Sequence, residues 1–264
     1  MLDPFLLKLA LSFIVGGCWI ILVTILAEKA GPKVGGFIAG LPSTIILGLF
    51  FIGWTQSPLV AVQATGIVPL IAGINCLFIL VYSVMVRRSF FLSLICSLLV
   101  WGLLSFGSVL MGLNNFVTAM IVFACLFSVS YYFLKMIKVR KSRLSQKMKY
   151  TPAILAVRGL FGGVVISLTV IMTKVGGPSW GGLFSMFPAM FLSTLIITYL
   201  ARGAAFSAEV MKITMLSSVS IVMYAGLVRI VYGPLGFVWG TIVSILVAYG
   251  FGLVMYQSII KKAS

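Results

Sequence analysis

Long apolar runs, separated by short polar or glycine- and proline-rich breaks, extend from one end of the chain to the other. Runs near twenty residues have the length at which a helix crosses a bilayer, and they are too long for barrel strands. A backbone in hydrocarbon must satisfy its own hydrogen bonds, which favours helices. The pattern therefore predicts an all-α, polytopic integral membrane protein with nine transmembrane helices, at 5–27, 36–54, 60–86, 90–111, 116–137, 151–174, 181–201, 209–231 and 235–259.

One glycine- and proline-rich motif occurs twice. Segment 31–42 reads GPKVGGFIAGLP, and 146 residues later segment 177–188 reads GPSWGGLFSMFP. The glycine pair at 16–17 recurs in the same register at 162–163. The shared register indicates two copies of one unit. It predicts a first repeat of four helices at 1–114, a linking helix and basic loop at 115–150, and a second repeat of four helices at 151–264.

The composition excludes several classes of protein. The chain has 264 residues, of which 62% are apolar and only 8% are charged, whereas a soluble domain carries roughly 25% charged residues. Histidine is absent, there are three acidic residues, and the four cysteines stand singly inside apolar runs. This removes the usual zinc sites and histidine-based catalysis. We therefore expect no enzyme, no metal site and no cofactor.

Lysine and arginine predict the orientation of the helices. Fifteen of the 19 basic residues fall on one set of alternate helix ends, and the other set holds only Lys8, Lys174 and Arg229. By the positive-inside rule, the N-terminus lies outside and the C-terminus in the cytoplasm of a plasma or inner membrane. The basic run within 135–149 is interpreted as a topology-setting loop. The alternative is a patch for anionic lipid or nucleic acid, but we expect no nucleic-acid partner.

The predicted topology turns the second repeat upside down, because five spans precede it. Two similar units inserted in opposite senses are related by a pseudo-two-fold axis in the membrane plane, which is the architecture of many secondary transporters. In such proteins, breaks at corresponding places in the two halves indicate the substrate site.

Several residue types near the two motifs are candidates for that site. The paired glycines let backbones approach closely, and each proline kinks a helix and frees a carbonyl. Helix N-termini after the glycine pairs would offer positive dipole ends to an anion. Hydroxyl and amide side chains can line a polar path or bond freed carbonyls. The predicted substrate-binding residues are Gly35, Gly36, Pro42, Ser43, Thr44, Asn75, Arg158, Gly181, Gly182, Pro188 and Ser193. The alternative for the glycines is close helix packing alone.

Charged residues in or beside the membrane are further candidates. Arg158 lies about eight residues into its helix, where it either snorkels to the interface or attracts an anion or lipid phosphate. Two equivalent pairs, 146 residues apart, are assigned to coupling or gating, and helix capping is the alternative: Glu28 with Lys174, and Gln63 with Glu209. Glu28 and Glu209 are the carboxylates available for proton or sodium coupling.

The stretch Ala39-Gly40-Leu41-Pro42-Ser43-Thr44 resembles the small GlpM-like bacterial membrane proteins, in which a first hydrophobic helix precedes a Gly/Ala-rich break and a Leu-Pro. The second copy departs from this pattern at Phe187-Pro188-Ala189. The resemblance covers about a third of each repeat. It implies a membrane protein of unsettled role and supplies neither substrate nor functional residues.

The sequence therefore favours a secondary transporter of an anionic small molecule or a lipid-linked phosphate, with membrane lipids as its other partners. Its site would lie near the bilayer midplane between the helices at 36–54 and 181–201. A lipid flippase or scramblase is the first alternative, and a channel or a structural membrane component is the second. A flippase would expose its kinked helices to lipid, whereas a transporter would bury them.

Overall fold

The computed structural model describes residues 3–137 and 152–260, and all the regular secondary structure in that part of the chain is helical. A 3₁₀ turn at Thr65–Ile67 and a π turn at Tyr256–Ile260 accompany ten α-helices. Most of the predicted basic loop lies outside the described residues. The helices are α1 Pro4–Ala39, α2 Ser43–Thr55, α3 Pro58–Ala64, α4 Val68–Met85, α5 Phe90–Leu110, α6 Phe116–Met136, α7 Pro152–Gly176, α8 Pro178–Ser185, α9 Ala189–Ser217 and α10 Val219–Met255.

Seven helical stretches in the described part of the chain are long and apolar enough to cross a membrane. Six correspond to the first six predicted helices. The seventh, Pro178–Ser258, is 81 residues long and contains the last three predicted helices. A straight helix of that length would span about 120 Å, four times the thickness of a hydrocarbon core. It is not straight, because Gly203 (φ 78°) and Gly236 (φ 71°) leave the helical conformation.

Helix α1 folds back on itself near its end. A Cβ on Gly35 would lie only 2.8 Å from the Ala27 carbonyl oxygen, although eight residues of straight helix rise about 12 Å. The equivalent residue in the second half, Gly181, comes as close to Thr173, and there the bend is a full break at Gly177 (φ 92°). Both halves therefore contain a long helix followed by a short one that packs against its end.

Helices α1 and α7 cross in opposite directions. Phe5, early in α1, meets Lys174 at the end of α7, and Thr24, late in α1, bonds Arg158 near the start of α7. Between these ends, Gly17 lies against Gly159. Residues later in α1 contact residues earlier in α7, so the two helices are antiparallel.

The core and the periphery of the bundle separate clearly. In the most apolar part of Val34–Thr55, 78% of the residues are buried, against 22% in both Phe90–Leu110 and Phe116–Met136. The outer helices α5 and α6 present large apolar side chains such as Phe91, Leu103 and Val117 to the surroundings. In a bilayer these side chains face lipid, and α4 lies behind both helices.

Candidate functional site

Two membrane helices are broken at proline, at equivalent positions in the two halves. The sequence predicted kinks inside continuous helices at Pro42 and Pro188, but the structure ends one helix and starts another at each site. Proline lacks the N–H that would continue the ladder, and its ring collides with the carbonyl four residues earlier. Helix α2 begins after Pro42 (φ −71°, ψ 48°) and α9 after Pro188 (φ −75°, ψ 41°).

The backbone hydrogen bonds around the two prolines repeat residue for residue. The N–H of Ser43 donates to the Leu41 carbonyl at 2.7 Å, as does that of Ala189 to Phe187. On the far side, Ile46 donates to the Pro42 carbonyl at 3.2 Å and Leu192 to Pro188 at 2.8 Å. The backbone hydrogen bonds over 41–46 are thus the same as those over 187–192, despite different side chains.

The two breaks meet at a small cavity of about 20 Å³. Its wall includes the first turns of α2 and α9 together with side chains from α4 and α10. Asn75 and Ser43 are both buried, at 3% and 2% exposed. The residues that line it include Ser43, Thr44, Asn75, Met190, Phe191 and Ile221. A cavity of this size has room only for a small group of a few heavy atoms.

The cavity wall is rich in hydrogen-bond donors. The first-turn N–H groups of a helix have no partner within that helix, and neither N-terminus here is capped by a side chain. Among the described residues, no backbone acceptor pairs with the N–H groups of Thr44 and Ile45 in α2, or of Met190 and Phe191 in α9. Hydrogen bonds within the described chain also leave the Ser43 and Thr44 hydroxyls unused. Two positive helix ends therefore converge on one site.

Asn75 joins the two halves at this cavity. Its Nδ2 donates to the Met186 carbonyl at 3.1 Å, which satisfies an acceptor exposed by the break before α9. Its Oδ1 is buried and has no partner in the described structure. The residue at the equivalent place, Ile221, lines the same cavity but has no polar group.

The glycine pairs predicted for the site instead lie in helix contacts. A Cβ on Gly36 would lie 3.0 Å from Val210 Cγ1, and one on Gly182 would collide with the Ala64 carbonyl. Ala64 and Val210 are themselves equivalent residues. The N-termini aimed at the cavity follow the prolines, not the glycine pairs, because each glycine pair sits inside a short helix that ends before the proline.

Arg158 lies beside the site, not on the main cavity. Its Nη1 donates to the Thr24 hydroxyl at 3.1 Å, and its side chain is 5% exposed within the α1–α7 crossing. With Ile20 and Ser193 it lines a second, smaller cavity of about 10 Å³. Met190 lines both cavities. Arg158 and Ser193 are thus one side chain away from the broken helices.

Of the four residues assigned to coupling or gating, the three with described side chains do not line the cavity. Lys174 Nζ lies 3.6 Å from the centroid of the Phe5 ring, at one end of the α1–α7 pair. Gln63 is exposed on α3, and Glu209 is half-buried on α9. The side chain of Glu28 is outside what the structure describes, so the coupling or gating role assigned to it stays a prediction.

Ile45, Met190, Phe191 and Ile221 line the cavity but were not predicted from the sequence. They are apolar, so residue type gave no indication of a polar site. The repeat register could have indicated them, because they occupy positions equivalent to residues of the first half at the same site. Met190 and Phe191 are equivalent to Thr44 and Ile45, and Ile221 is equivalent to Asn75. What they contribute is backbone N–H groups and shape.

The fold and the cavity define an all-helical, multi-pass membrane protein with two broken helices at its centre. Residues 9–111 match the model of a family described only as proteins of unknown function, DUF3147. No curated protein and no solved structure shows significant similarity to the chain.

Proposed function

We propose that this protein is a secondary transporter that moves a small anionic molecule by alternating access between two inverted repeats. The observation that carries the proposal is the meeting of two proline-broken membrane helices, N-terminus to N-terminus, at a buried cavity. Discontinuous helices whose N-termini face an anionic group are a recurrent form of transporter site.

Reciprocal contacts between the halves support the inverted-repeat arrangement. Gly16 packs on Ile166, and their equivalents Gly162 and Ile20 form the matching contact. Gly17 lies against Gly159, as its equivalent Gly163 lies against Phe13. Reciprocal contacts of this kind are expected between two units related by a two-fold axis. Because α1 and α7 are equivalent helices and run antiparallel, they are consistent with a second unit inserted in the opposite sense to the first.

The number of spans and the family match are consistent with this arrangement. Gly203 and Gly236 divide Pro178–Ser258 into three pieces, each long enough to cross a bilayer, which gives nine spans with the six stretches before it. The matched segment 9–111 falls inside the proposed first repeat and ends before α6. With nine spans, the basic residues orient the N-terminus outward.

An anion is favoured over a cation by the balance of donors and acceptors. Residues that line the cavity supply four backbone N–H groups without a backbone acceptor and two hydroxyls, whereas Asn75 Oδ1 is a buried side-chain oxygen that can only accept. An N–H group without an acceptor at membrane depth raises the free energy of the folded protein. A ligand that accepts hydrogen bonds from such groups removes this cost, which favours its binding. The small cavity favours a small molecule over a lipid-linked phosphate.

A lipid flippase is the second candidate, and burial argues against it. A sideways groove for a headgroup would border lipid along the broken helices. Here α2 is buried along most of its length, and the first turns of α9 are buried as well. Exchange of conformation between the repeats would instead open the cavity to one face of the membrane at a time.

Flux into proteoliposomes tests the proposal. The purified full chain is reconstituted and assayed for uptake of radiolabelled formate, acetate, phosphate and chloride, with a fluorescent-lipid scrambling assay on the same vesicles. We expect saturable uptake of at least one small anion, reduced at least tenfold by Thr44→Pro, which removes a cavity N–H and a hydroxyl. Leu103→Ala, on the lipid-facing side of α5, is the matched control and should transport normally.

The outcomes separate the candidates. Uptake of none of these anions, in either direction, by correctly folded protein would refute the transporter proposal. Lipid scrambling without anion uptake would favour the flippase. Uptake that does not saturate with concentration would favour a channel.

A further inference from the structure

Asn75 Oδ1 is the unmatched acceptor in a cavity otherwise supplied with donors. Asn75 is only 3% exposed, and its Oδ1 has no hydrogen-bond partner in the described part of the chain. A buried carbonyl oxygen without a donor costs stability comparable to a lost hydrogen bond. A bound ligand is the natural source of the missing donor.

The orientation of the Asn75 amide is determined by its surroundings. If the amide were flipped, its oxygen would face the Met186 carbonyl oxygen, and two acceptors would meet where a 3.1 Å hydrogen bond now lies. The nitrogen therefore belongs to Met186, and the oxygen is the atom left without a partner on a side chain that lines the cavity. This makes the acceptor a fixed part of the site.

The side-chain acceptor is present in only one of the two halves. The first turns of α2 and α9 give each half two free N–H groups, but only the first half supplies a side-chain acceptor, since its equivalent is Ile221. A ligand that matches the cavity needs an anionic end shared between the two helix N-termini and one donor hydrogen directed at α4.

We propose that the cavity selects a small monoanion that carries one O–H group of its own. The anionic oxygens accept from the first-turn N–H groups of α2 and α9, and the ligand O–H donates to Asn75 Oδ1. Hydrogencarbonate is the smallest oxyanion with these features, and a cavity of about 20 Å³ admits few heavy atoms. This inference rests on the proposed anion transport and names its substrate class.

Formate and hydrogencarbonate form a matched pair of probes, because they differ only in a hydrogen replaced by a hydroxyl. Their affinities are measured by titration calorimetry on the detergent-purified full chain, as sodium salts at one pH and equal ionic strength. Wild-type protein should bind hydrogencarbonate about tenfold more tightly than formate, since one additional buried hydrogen bond is made. This comparison requires no variant, so it does not depend on a mutant folding.

Two variants test whether Asn75 causes the preference for hydrogencarbonate over formate. Asn75→Leu removes the acceptor and should bind the two anions with equal affinity. The double variant Asn75→Ile with Ile221→Asn moves the amide to the equivalent position, for which the residue equivalent to Met186 in the repeat register is Gly40. It should restore the preference for hydrogencarbonate.

Equal affinity of the wild type for the two anions would overturn the inference and leave anion transport standing. So would a hydrogencarbonate preference that survives in Asn75→Leu. Failure of the wild type to bind either anion, together with failure to transport any, would overturn the proposed function itself.

Discussion

The side-chain amide of Asn75 donates a hydrogen bond to the main-chain carbonyl of Met186, at 3.1 Å. The two residues are 111 positions apart in the chain and belong to opposite halves of the molecule. The bond satisfies a carbonyl that the break before α9 removes from its helix. Through it, α4 of the first half holds the broken helix of the second half at the cavity.

The α1–α7 crossing depends on glycine at its centre. A Cβ on Gly17 would lie 2.9 Å from the Gly159 carbonyl oxygen, so Gly17→Ala should force the helices apart and destabilise the protein by about 1–3 kcal/mol. Gly163→Ala should do the same against Phe13. The measurement is the apparent unfolding temperature in detergent.

Gly102→Ala is the matched control for that substitution. Gly102 lies within α5 with open space where its Cβ would be, so alanine should leave stability unchanged or raise it by up to about 1 kcal/mol. Equal destabilisation by all three alanines would contradict close packing at the crossing.

Gly48 and Ser185 should compensate for one another. A Cβ on Gly48 would lie 2.7 Å from Ser185 Cβ, where α2 packs on α8 of the other half. Gly48→Ala should destabilise by about 1–3 kcal/mol, and adding Ser185→Gly should recover most of the loss. A double-mutant cycle of unfolding temperatures measures the coupling. Additive effects would show that the two sites do not touch.

A hydroxyl network joins the halves away from the cavity. Tyr82 and Ser207 share a hydrogen bond of 2.7 Å, and Thr198 donates to Ser207 at 2.9 Å. Tyr82→Phe should cost about 1 kcal/mol of stability, because Ser207 loses one buried partner. Tyr132→Phe, at an exposed tyrosine on α6, should cost nothing measurable. Equal unfolding temperatures for the two variants would show that the network adds no stability.

The proposed orientation predicts which loops meet an external reagent. In a cysteine-free background, Asn114→Cys between α5 and α6 should react with a membrane-impermeant maleimide on intact cells. Arg88→Cys between α4 and α5 should react only after permeabilisation. The reverse pattern would place the N-terminus in the cytoplasm, contrary to the positive-inside prediction.

The sequence by itself determined that the chain is a helical membrane protein and where it would be broken. Apolar run length selects helices in a medium without water, and proline cannot continue a helix wherever it lies. The equal spacing of Pro42 and Pro188 from their motifs was therefore enough to predict two equivalent interruptions. Ser43, Thr44, Asn75 and Pro188 were expected near one site, and the structure lines one cavity with them.

Only the tertiary structure decided what each residue near the breaks does. The paired glycines turn out to pack helices, and Arg158 bonds Thr24 beside the cavity, because these outcomes depend on which helix lies opposite. Three of the four backbone donors at the cavity belong to Ile45, Met190 and Phe191, whose apolar side chains give no indication of a polar site. A main-chain group becomes available only where a helix starts, and it becomes a site only where a second helix end faces it.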